Sequence, residues 1–156
     1  MENITGKAEF LKNEYAKKLA ALDPNTLPVW GKMSVQQMME HMADYIRISN
    51  GRNPHEIVTA EEHLPKMVAF LESEKQMREN TPNPLLSDVP PAVKHTTVQD
   101  AIAAIQTEID HLFEVFENDK ELKTTHPFFG NLDFEHTIQL LHKHAMHHLR
   151  QFGLVV

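Results

Sequence analysis

The sequence predicts an all-α fold, a bundle of four main helices with a long, partly ordered crossover between the second and third long helices. Apolar residues recur at helical spacing in separate segments, and capping and stop residues bracket those segments. No alternating apolar and polar run, internal repeat or low-complexity tract competes with that pattern.

The first helix is expected from about Thr5 to Leu22, where Phe10, Leu11, Tyr15, Leu19 and Leu22 share a face, and it stops before the turn-forming DPNTLP. The next stretch, LPVWGKM, carries the single tryptophan, Trp30, as a packing anchor for the loop. In SVQQMMEHMADYIRISNG, Ser34 and Gln37 have capping-box spacing and Asn50-Gly51 is a stop, so the second helix is bounded at both ends. Beyond RNPHE the pattern weakens. A short helix is expected across PKMVAFLESEKQMREN, and TPNPLLSDVPPAVKH is too rich in proline for regular structure. Thr97 caps the third long helix, TVQDAIAAIQTEIDHLFEVFEND, whose stripe includes Ile102, Ile105, Ile109, Leu112 and Phe116. A loop containing HPFFGN leads to Asp133, the cap of the last helix, FEHTIQLLHKHAMHHLRQF, which Gly153 closes.

A chain of 156 residues fits one domain spanning residues 1–156 and can bury a core without covalent staples. It has no cysteine, so a metal must be held by nitrogen and oxygen, and any thiol chemistry needs a thiol from a cosubstrate. The net charge of -7 and the scatter of the basic residues argue against nucleic-acid binding. With neither a signal-peptide pattern nor a membrane-spanning apolar run, a cytoplasmic protein is expected.

Histidine is the compositional outlier, with 11 in the chain. On the last helix the stripe Phe134, Ile138, Leu141, Ala145, Leu149 and Phe152 leaves His144 and His148 beside it on one flank, with His147 further toward solvent and His142 on the other flank. His144 and His148 are spaced i, i+4, so both imidazoles can reach one cation. His41, bordering the stripe of the second helix near Tyr45, is the candidate third ligand. Three histidines from two helices make a nitrogen triad with open positions, the layout of a catalytic site. The donor set suits zinc, nickel, iron or copper and does not choose among them; zinc and nickel are taken first. Because imidazole ligates only when neutral, ordinary pKa values predict metal release below roughly pH 6.

The stretches WGKMSVQQMMEHMADYIR and HPFFGNLDFEHTIQLLHKHAMHHLRQFG resemble the signature regions of an uncharacterised branch of the DinB-like superfamily. The resemblance implies a DinB-like four-helix bundle with a divalent metal held by a histidine of the second helix and an H-x-x-x-H pair on the last. Those positions are His41, His144 and His148 here. Related enzymes include S-transferases that use bacillithiol, mycothiol or glutathione, and maleylpyruvate isomerase. Residues 52–95 match no thiol-binding pattern of these relatives, so the resemblance names no substrate.

Three functions follow. In the first, the triad activates a low-molecular-weight thiol for transfer to an electrophile. In the second, a metal-activated water serves a hydrolase. That version needs a carboxylate base, and Glu40 and Asp44 project away from His41, leaving Glu108 as a weak candidate. The third is a non-catalytic metal or small-ligand binding bundle. Gln151 is placed to order His144, His126 to line the entrance or anchor its loop, and Arg150 to pair at the surface. A homodimer is expected, with no interface assigned.

Overall fold

A computed structural model describes residues 1–80 and 89–154. Among the described residues, six α-helices and a small two-stranded hairpin follow in the order α1 (Ile4–Asn13), α2 (Tyr15–Ala20), α3 (Val35–Ser49), α4 (Leu64–Glu72), α5 (Val98–Asn118), β1 (Thr124–His126), β2 (Gly130–Leu132) and α6 (Phe134–Gln151). Among the described residues, no helix is long and apolar enough to cross a membrane.

The first expected helix is two. Glu14 leaves helical geometry at φ −117°, separating α1 from α2, and the break falls beside Asn13, a weak helix former whose side chain bonds Glu9 instead. Tyr15 and Leu19 beyond the break are fully buried. The capping box of α3 forms as expected: Ser34 Oγ accepts from the Gln37 amide at 3.1 Å, and the Gln37 side chain accepts from the Ser34 amide at 2.9 Å. Gly51, at φ +86°, follows the helix end.

Within the crossover, a 3-10 turn over Glu61–His63 leads into α4, which ends at Glu72, well short of the span expected from PKMVAFLESEKQMREN. The expected irregular stretch TPNPLLSDVPPAVKH lies partly outside the described residues. Its last part is tied to α3, where Gln37 donates to the Pro91 carbonyl, Gln36 donates to the His95 carbonyl, and the Glu40 carboxylate accepts from the Lys94 and His95 amides.

The HPFFGN stretch corrects the expectation of a fold without strands. Thr124 pairs with Leu132 and His126 with Gly130 in an antiparallel hairpin whose tight return uses Gly130 at φ +84°. Strands of three residues are too short to show a two-residue alternation in sequence. The hairpin earns its place by packing: Phe129 and Leu132 join Leu71 of α4 and Leu140 of α6 in a second, smaller core. The crossover also docks on it, with Val58 donating to the Pro127 carbonyl and Thr59 to that of Phe128.

The main core lies where α3 packs along α5 and α1 along α6. Met38, Met42, Ile105, Ile109, Ile138 and Leu149 are among its fully buried members. Asp133 caps α6 by accepting from the His136 amide at 3.0 Å, and Gly153 closes it at φ +78°.

Candidate metal centre

His41 sits on the second turn of α3, and His144 and His148 lie one turn apart near the end of α6. Packing of each helix's apolar stripe into the core fixes which way it faces, and helical pitch then brings these histidines to the seam between the two helices. There the rings converge. His41 Nε2 lies 3.1 Å from His144 Nε2, and His148 Nε2 lies 2.9 Å from the same atom. Ligand atoms of all three rings fall within 4.8 Å of one another, with His148 buried and His41 and His144 partly exposed.

These nitrogens cannot satisfy each other. His148 Nδ1 is 2.7 Å from Gln151 Oε1, an acceptor, so the ring proton is on Nδ1 and Nε2 is a lone pair. A proton on His41 or His144 Nε2 can bridge one of the two contacts well but not both, which leaves a ring nitrogen of the cluster without a well-aligned donor. A divalent cation facing three lone pairs would satisfy them all, and donors 2.9 and 3.1 Å apart can share one at about 2.0–2.1 Å. The residues present therefore fit a metal ion.

Burial keeps the rings neutral, as ligation requires. His41 is pushed down to about 4, first by burial and then by neighbouring His147. His144 and His148 titrate well below the ordinary 6.5, again through burial first and then through adjacent imidazoles.

Tyr45, one turn beyond His41, packs its ring 4.7 Å from His41 and 5.3 Å from His144. On its other side His126 lies 6.2 Å away, buried and pushed down to about 4, chiefly by burial. Its Nδ1 accepts from the Phe128 amide at 3.1 Å, which leaves Nε2–H as a donor. His126 thus anchors its loop and also stands close to the cluster.

Several sequence expectations change. His147 does not face solvent: it is half-buried, its ring tilted against Trp30 at 5.3 Å and edge-on to His148 at 5.1 Å. Gln151 orders His148 and not His144. Glu108 is no candidate base, because Arg52 at 2.9 Å, Arg47 at 3.3 Å and Asn50 at 3.0 Å occupy its carboxylate. Glu40 is committed to the crossover and Asp44 to Arg47. Among the triad's acidic neighbours in sequence, none is left to activate water. His142 stays on the opposite flank, edge-on to Phe10, and Arg150 borders a cleft there of about 180 Å³ with Lys7 and Glu74.

Lys143 escaped the sequence reading. Its ammonium is drawn into the structure by the Ser73 and Lys75 carbonyls, each at 2.6 Å, and by the Phe70 ring at 5.0 Å. Those acceptors are about 70 residues distant in the chain, so no local pattern announces them.

A helical fold with an all-histidine cluster able to hold a metal ion is the class these observations define. The chain belongs to the DinB superfamily, whose family model matches residues 13–152. No curated protein and no solved structure matches it.

Proposed function

We propose that this protein is a divalent-metal-binding member of the superfamily that uses His41, His144 and His148 to activate a low-molecular-weight thiol for transfer to an electrophile. The observation that carries this proposal is the convergence of three Nε2 atoms that one divalent cation would satisfy together. Zinc or nickel is the first choice, and iron or copper also suits the donors.

The chain's own residues have defined tasks. The three imidazoles would hold the ion, burial keeps them unprotonated, and His41 and His144, less buried than His148, would face an incoming small molecule. Tyr45 packs against His41 and His144, and His126 beyond it offers an N–H to an acceptor on the electrophile. A bound divalent cation supplies Lewis acidity, which favours the thiolate form of a cosubstrate at neutral pH. The thiol proton would pass to solvent, and a sulfur–carbon bond would form as the carbon–leaving-group bond breaks, the electron pair going to the departing halide or, in an epoxide, to the ring oxygen, which stays attached and is protonated from water.

Two facts favour thiol transfer over hydrolysis. The chain has no cysteine, so no internal thiol competes with a cosubstrate for the ion. The carboxylates nearest the site in sequence and the Glu108 candidate are all engaged elsewhere. In the same reading α1 and α2 form one broken stave that joins α3, α5 and α6 in a four-helix bundle, and residues 1–156 act as one domain.

The test is consumption of an epoxide and an activated aryl halide by zinc- or nickel-loaded protein, with and without a thiol panel. Thiol-dependent consumption is expected. Thiol-independent cleavage of esters in place of it would make the protein a hydrolase, and turnover of neither would make it a binding module.

A further inference from the structure

We propose that Gln151 is the positioning residue of the cluster: it holds His148 in the Nδ1–H tautomer and so aims the Nε2 lone pair at His41 and His144. Its consequence for metal affinity rests on the reading above, whereas its effect on the ring belongs to the metal-free protein.

Gln151 is the last residue of α6 and is 5 % exposed. Its partners fix which way the amide faces. One end lies 3.1 Å from the Trp30 carbonyl, which only accepts, so that end is the NH2 group. The amide oxygen therefore faces His148 Nδ1 at 2.7 Å. An amide oxygen only accepts, so the proton is on Nδ1, and a neutral imidazole has no second proton for Nε2.

The loop before α3 clamps this residue twice. Besides the Trp30 contact, the Gln151 carbonyl accepts from the Val29 amide at 2.7 Å. Close approach at this point depends on Gly31, which has φ +78° and would set a Cβ only 3.0 Å from Gln151 Nε2. The two separated stretches WGKM and HHLRQFG thus meet in one relay, Trp30 carbonyl to Gln151 amide to His148 ring. Among the described residues, His148 is the one ring of the cluster with a hydrogen bond at Nδ1. Outer partners of this kind fix ring orientation and raise ligand basicity.

The experiment is long-range ¹H–¹⁵N correlation of the metal-free protein, with His148 assigned by its loss in His148→Gln, in wild type, Gln151→Leu and Gln151→Glu. Zinc affinity of each is measured in parallel by chelator competition. Wild type should show the Nδ1–H tautomer at His148. Gln151→Glu should keep it, because a carboxylate still accepts from Nδ1–H. Gln151→Leu should lose it, and its zinc affinity should fall roughly 10- to 100-fold. A wild-type His148 protonated at Nε2 would overturn the inference whether or not the variants fold. So would a folded Gln151→Leu with unchanged tautomer and affinity. A wild type that binds no zinc, with a tautomer that still responds to Gln151→Leu, would overturn the metal reading and leave the orienting role standing.

Discussion

His41 of α3 and His144 of α6, 103 residues apart in sequence, bring their Nε2 atoms to 3.1 Å. The contact joins two helices whose starts are set independently by their own caps. Removing the α3 partner should therefore disable the site as fully as removing one on α6. His41→Ala and His148→Ala are each expected to lower zinc affinity by more than the roughly 10- to 100-fold that an outer partner costs. Helical circular dichroism should persist in both, since the apolar core is untouched. Wild-type affinity in His41→Ala would leave only a pair on α6 and end the three-ligand account.

The expectation of metal release below roughly pH 6 belongs to ordinary imidazoles. Burial moves proton competition lower: His41 titrates at about 4, and its two partners lie well below 6.5. Zinc should remain bound at about pH 5 and leave as pH approaches 4. Equilibrium dialysis across this range checks the point, and release centred near pH 6 would show that the rings are not buried as described.

The same shift has a stability consequence for metal-free protein. Unfolded imidazoles take up protons near 6.5, while His41, His126 and His142, depressed mainly by burial, wait until about 4 in the fold. The unfolded chain then binds more protons across that window, so stability is full above 6.5 and falls as pH drops toward 4. His136 runs oppositely. Burial opposes its protonation, but bonds to Asp133 and Glu72 outweigh that and raise its pKa, so its contribution is full below 6.5 and lost as pH rises through its folded value. Urea melts from pH 7 to about 4 should show the decline, and a flat profile would contradict it.

Glu108 is predicted to serve the fold alone. Glu108→Gln should destabilise by about 1–3 kcal/mol, the scale of lost hydrogen bonds to a charged group, because its partners Arg47 and Arg52 are themselves partly exposed. Zinc affinity and any thiol-dependent turnover should stay at wild-type level. A selective loss of turnover in a stable variant would return Glu108 to the list of candidate bases.

The capping box of α3 offers a graded test of how the fold supports the site. Ser34→Ala removes the acceptor for the Gln37 amide and should cost about 1 kcal/mol in a thermal or urea melt. His41 lies two turns inside the helix, so zinc affinity should change little. A large loss of affinity would mean that the helix start, and not packing along α5, sets the position of His41.

Much of this was legible where signals are local. The Ser34 and Gln37 box, the Thr97 and Asp133 caps and the apolar stripes marked α3, α5 and α6, and the flank shared by His144 and His148 followed from helical pitch. The His41 contact was reachable because amphipathic helices must face a common core. What escaped depends on distant partners or on very short elements. The break at Glu14 spans one residue, the hairpin has three-residue strands, and Lys143 is held by carbonyls of a segment far away in sequence. Gln151 was placed on the correct helix, but which ring it meets turns on the Trp30 loop fixing its amide.

The most direct measurement is the metal content of untagged wild type and His144→Ala by inductively coupled plasma mass spectrometry, after purification and after reconstitution with zinc, nickel, iron and copper. His144 Nε2 is the atom both other ring nitrogens approach. The account predicts near-stoichiometric metal in wild type and its loss in the folded variant. Wild type that holds none of the four metals, or a variant that keeps its metal, would contradict it.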